Sequence, residues 1–233
     1  MPRLRREVSR IEGFSDAVFA FAITLLVVSL EVPKSFHELM LAMRGFLTFA
    51  VCFALLFQVW WRHYRFFRTY DLEDNYIITL TAVLLFVVLF YVYPLKFLWS
   101  IALAPIEGRR VGDAVITNAE VPALFGIYGA GVIAVFSILG LMHRHALAKR
   151  DELGLTGEES LETRIRIYSN FGVASIGALS IIVAFATARF APNLVGLAGF
   201  VYAFIGVVEW QIGAYHGRRR RKLQLNTADS PRA

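Results

Sequence analysis

Cysteine is almost missing from these 233 residues. Cys52 stands alone, which excludes an intrachain disulfide framework and any zinc site built on cysteine. Charge is scarce as well: Asp, Glu, Lys and Arg make up 18% of the chain, against roughly 25% in soluble domains. There is no Gly-x-Ser-x-Gly elbow, no Walker loop and no His-Glu-x-x-His pair, so the common hydrolase, nucleotide and zinc-protease chemistries have no motif to rest on. Carboxylates inside apolar runs are too few for a paired acid–base site. An enzyme is not expected. What fills the sequence is apolar: 57% hydrophobic residues and 14% aromatics, with 20 Phe. A soluble globule of this size could not bury that much apolar surface, so lipid must be its solvent.

Apolar runs recur at bilayer length, about 20 residues each, over 14–32, 39–61, 76–95, 121–142, 167–188 and 190–208. Backbone polar groups in lipid must bond within their own segment, and none of these runs alternates as a barrel strand does. The expected fold is therefore an all-α integral membrane protein of six transmembrane helices. Residues 1–13 form a basic terminus, 14–215 the membrane domain and 216–233 a polybasic tail.

Six spans put both termini on one side, and the basic residues say which. Eighteen of the 24 Lys and Arg fall in the terminus, in the tail, or in the segments joining spans two to three and four to five. Lys34, Arg44, Lys96, Arg109, Arg110 and Arg189 remain for the other face. That bias places both termini in the cytoplasm, and it accounts for the net charge of +6 without nucleic acid as a partner. The first span is too long for a signal-peptide core and lacks a small-x-small cleavage site, so it is expected to be retained. Thr156 and Glu159 have the spacing of a capping box that would start the fifth helix on the cytoplasmic side.

Asp16 carries the most information, because a carboxylate two residues inside an apolar span is costly and marks a polar site by default. Arg10 lies six residues earlier, about 120° around a helix, so the two need partners on other helices. Trp60, Trp61 and His63 at the end of span two, and Asn75 at the start of span three, lie in the same layer. A structural clamp is the expected role of this cluster; a pH response through His63 is the sharper one. Phe21, Leu25 and Val28 recur at i, i+4 and i+7 and share one helix face.

The pattern Arg10-x-x-x-Phe14-Ser15-Asp16, opening the first of six helices, resembles the signature of the transmembrane protein 175 family. These are potassium-permeable cation channels of endosomes and lysosomes, with prokaryotic relatives that carry one six-helix copy per chain. Trp61, His63 and Asn75 extend the match, as do helix number, length and orientation. The resemblance implies a homotetramer around a central pore lined by the first helix. It implies a pore without a TVGYG filter, and no such motif occurs here. Constriction would come from Phe21, Leu25 and Val28, with Thr24 and Glu31 as possible ion contacts. Members generally carry Ile or Leu where this chain has Phe21. Asp16, about 140° from Phe21, would turn into the helix packing. No resident cofactor is implied, only permeant potassium ions, in a prokaryotic plasma membrane. A proton-coupled transporter using Asp16 and His63 is the alternative function.

Other features have blander readings. Glu209 beside Trp210 suits an interfacial anchor. His143-x-His145 lacks a third ligand for a metal. Arg218, Arg219, Arg220, Arg221 and Lys222 form a topological stop with affinity for anionic lipid. Small residues such as Gly126, Ala130, Gly172 and Gly177 permit close helix approach.

Overall fold

The structure, a computed structural model, describes residues 8–28, 33–107, 119–190, 199, 201 and 202. Six helices lie among them: α1 (Arg10–Val28), α2 (Phe36–Arg44), α3 (Phe46–Tyr70), α4 (Asn75–Ala102), α5 (Val121–Ala148) and α6 (Gly157–Phe190). There is no strand among the described residues. Four of the helices, α3 to α6, are long and apolar enough to cross a membrane. In α1, Arg10, Glu12 and Asp16 crowd the first two turns and shorten its apolar part. The expected sixth span, 190–208, lies almost wholly outside the described residues, as do Glu31, Glu209 and the polybasic tail.

Span two departs from the expected single helix over 39–61. It is a nine-residue α2 followed by α3, with Gly45 as the shared junction. Glycine at a helix interior costs about 1 kcal/mol relative to alanine. Here its N–H turns back to Ala42 O, closing one helix as the next begins. Ser35 caps α2 by accepting from the Glu38 N–H. At the α3 start, Glu107 reaches from beyond α4 and accepts from both the N–H and the hydroxyl of Thr48, at 2.8 and 3.0 Å. A carboxylate there satisfies an orphan amide and suits the positive helix end.

Three helix starts are capped by local sequence. Thr156 and Glu159 form the reciprocal capping box: the Glu159 N–H donates to Thr156 Oγ1 and the Thr156 N–H to Glu159 Oε2. An equivalent box at Ser9 and Glu12 starts α1; its Ser-x-x-Glu spacing is as legible as the other. Asp74 caps α4 by accepting from the Ile77 N–H at 3.0 Å.

One apolar core joins α1, α3, α4, α5 and α6 around Phe19, Leu26, Leu56, Phe66, Ile77, Leu84, Leu139 and Val173. The closest helix pair is α5 with α6, where a Cβ on Gly129 would sit 2.9 Å from Gly177 O. Only glycines allow the two backbones to meet this closely.

A candidate permeation face on the first helix

The first helix packs one side against α3 and α4. Ser15, Phe19, Ala22 and Leu26 are buried on that side, a run at i, i+4, i+7 and i+11 that defines a single stripe. The opposite side is uncovered by the rest of the chain: Gly13, Phe14, Ala17, Ala20, Phe21, Thr24 and Val27 are all exposed. Phe21 is 57% exposed while Phe19, two residues earlier, is 1% exposed. An apolar face bare within its own chain is the mark of a surface that meets lipid, another copy or a lumen.

Residues expected on one face are not placed alike. Phe21 and Thr24 lie on the uncovered side, whereas Leu25 is partly buried and packs against the core. The reason is rotational: on a helix of about 100° per residue, Leu25 lies about 40° further than Phe21 toward the packed stripe. Val28 belongs to the helix by its backbone. The Thr24 hydroxyl donates to Phe21 O at 2.7 Å. That bond uses its proton and leaves oxygen lone pairs on the exposed side.

The signature residues divide into separate local contacts. Ser15 is fully buried and donates to Ile11 O at 2.7 Å. Asp16 does not turn into the packing; it is exposed at the border of the uncovered face. There Trp60 Nε1 donates to Asp16 Oδ1 at 2.7 Å. Trp60, rather than Trp61, makes this contact. Trp61 is exposed and stacks on Tyr64, with ring centroids 5.5 Å apart. His63 is buried between aromatic rings, 4.9 Å from Phe67 and 5.9 Å from Phe19. Asn75 is exposed at the head of α4 and accepts from Thr79 through its backbone carbonyl. Arg10 and Phe14 are exposed. Asp16 and His63 thus occupy different surroundings on different helix faces.

The His-x-His pair separates as well. His143 is buried, its Nδ1 bonded to Leu139 O, while His145 pairs through Nε2 with Asp74. Among the described residues no three His, Cys, Asp or Glu side chains converge as a metal site.

Sequence reasoning assigned no role to Lys96. It extends from α4 to α1 and donates to Leu26 O at 2.9 Å. The signal was available, since a lysine directly after the third apolar run, before Phe97, Leu98 and Trp99, needs a partner, but the sequence does not name that partner.

A crystal structure of the potassium channel MtTMEM175, in complex with a nanobody–MBP fusion protein, is similar to this chain throughout. The TM-score is 0.79 at 34% identity, covering 94% of this chain and 98% of that one. A potassium channel from Marivirga tractuosa is 36% identical over 228 residues, 94% of this chain and 91% of the relative. The chain belongs to the TMEM175 family. The model of the endosomal/lysosomal potassium channel TMEM175 matches residues 10–91, which contain α1, the Trp60–Trp61–His63 end of α3 and most of α4. A TMEM175 homologue from Chamaesiphon minutus shares the fold at 23% identity, with a TM-score of 0.52 over 87% of this chain and 96% of that one. As a TMEM175 member with bacterial relatives that are channels, the protein falls among channels and not enzymes.

Proposed function

We propose that this TMEM175 chain is the subunit of a potassium-permeable cation channel. Four copies of a six-helix unit surround a central pore lined by α1. The carrying observation is the uncovered face of α1, on which Phe21 stands 57% exposed near the middle of a helix whose other side is packed. The named activity of the relatives supports the same reading.

Four Phe21 rings facing one axis form an apolar constriction that excludes water when narrow. Thr24, one turn further along, offers hydroxyl oxygens to an ion that has shed part of its shell. Val28 and Glu31 come next in sequence, and a ring of Glu31 carboxylates at the outer mouth would concentrate cations. Leu25 supports the constriction from its edge, since part of it is committed to the core. Both termini face the cytoplasm of a prokaryotic plasma membrane on this reading. The separation of Asp16 from His63 favours a pore over a proton-coupled carrier.

Reconstitution of the full chain in liposomes tests the function. In a potassium gradient the reversal potential should follow the potassium equilibrium, and Phe21→Ala should raise the flux. Absence of flux from folded protein would remove the channel reading. Identical flux from wild type and Phe21→Ala would remove Phe21 from the constriction.

A further inference from the structure

The outer half of α4 carries a connected set of contacts. Pro94 lies inside this helix, where it lacks the N–H that would donate to Phe90 O and where its ring crowds the preceding turn. Two tyrosines hold this stretch of α4 against α5. Tyr91 on α4 donates its hydroxyl proton to Ile127 O at 3.0 Å. Tyr128 on α5 returns the contact: its hydroxyl donates to Pro94 O and accepts from the Leu98 N–H. Pro94 O and Leu98 N are the i, i+4 pair that a continuous helix closes on itself. A side chain inserted there is a recognised cause of a kink. Gly131 makes room for the arrangement, because a Cβ at that position would lie 2.3 Å from the Tyr91 ring.

Two residues beyond the proline, Lys96 crosses to α1 and donates to Leu26 O at 2.9 Å. An ammonium at a carbonyl toward the C-terminal end of a helix is doubly favoured, as a charged hydrogen bond and by the helix dipole. Leu26 belongs to the buried stripe, and Phe21, Thr24 and Val27 occupy the uncovered side of the same helix. Lys96 leaves α4 between Pro94 and Leu98, the two residues that the Tyr128 hydroxyl bridges.

We propose that Lys96 is a positioning residue for the outer end of α1, a strut whose angle is fixed by the Tyr128 hydroxyl between Pro94 and Leu98. It transmits the position of the α5 frame to the helix that carries the permeation face. The proposal rests on the pore reading for its consequence and on the Lys96–Leu26 contact for its mechanism, and the two are separately testable.

A nitroxide placed at Val27→Cys in a Cys52→Ser background of the full chain reports the motion of that end of α1 in each copy, whether or not ions pass. Lys96→Met keeps the length of the side chain and removes its charge and donors. It should narrow the spectrum, and Lys96→Arg should restore the immobilised line shape. Tyr128→Phe, which keeps the ring and loses the bridging hydroxyl, should shift the spectrum in the same direction as Lys96→Met. If Lys96→Met fails to fold, Tyr128→Phe alone decides. Unchanged spectra in the variants that fold would overturn the strut, whatever the flux does. Potassium flux from Phe21→Ala, measured alongside, judges the pore reading independently.

Discussion

Trp60 of α3 donates its indole proton to the Asp16 carboxylate of α1 at 2.7 Å. That bond ties two helices together at the edge of the uncovered face, where a carboxylate would otherwise depend on water or lipid headgroups. Trp60→Phe keeps the ring and removes the donor. A charge-assisted bond between partly exposed groups contributes about 1 kcal/mol. In a double-mutant cycle with Asp16→Ala, measured by denaturation in detergent, the combined loss should fall short of the sum by about that amount. Strictly additive losses would show that the pair is uncoupled.

Phe19 and Phe21 are two residues apart and should behave as opposites. Truncating buried Phe19 to alanine opens a cavity beside His63 and should cost about 3–5 kcal/mol of stability. Phe21→Ala removes a ring that its own chain leaves bare, so its effect belongs to flux, with little change in the stability of the folded unit. Thermal unfolding and liposome flux, measured on both variants, check this crossed pattern. A large stability loss from Phe21→Ala with unaltered flux would reverse the assignment.

Asp74, at the start of α4, supplies a pH dependence. Burial raises its carboxyl, but the contacts from His145, the Ile77 N–H and Lys149 outweigh that and hold it down to about 2 from an ordinary 3.8. A depressed carboxylate contributes stability that is fully present above 3.8 and is lost as pH falls through about 2. Asp74→Asn retains an N-cap and removes the charge. The difference in melting temperature between wild type and variant should be largest near neutral pH and should shrink between pH 4 and pH 2. A constant difference across that range would assign Asp74 a capping role only.

The α5–α6 seam tolerates no added methyl at its centre. Gly129→Ala would put a Cβ 2.4 Å from the Ile181 side chain and 2.9 Å from Gly177 O. Ile181 can rotate, but the carbonyl is backbone, so the helices must separate. We expect a loss of about 1–3 kcal/mol. Gly157→Ala, where nothing lies within 4 Å, is the control and should be neutral or slightly stabilising. Equal melting temperatures for the two variants would contradict the close seam.

The sequence by itself determined the lipid solvent, the all-helical class and the family. Apolar runs of bilayer length leave the backbone no choice but helix. The Thr156–Glu159 box and the Arg10–Asp16 signature are short-range patterns whose meaning is carried by spacing alone. Gly45 was visible too, yet the start of α3 beyond it is capped by Glu107 reaching Thr48 from 59 positions away, which no local pattern contains. The same limit applies to the site. Periodicity put Phe21, Leu25 and Val28 on one face, but the rotation of α1 against α3 and α4 decided that Leu25 is half committed to the core. Tertiary structure alone chose Trp60 over Trp61 for Asp16, enclosed His63 between phenylalanines and sent Lys96 to Leu26. Helical spacing fixes which residues share a stripe; only packing against neighbouring helices fixes where that stripe points.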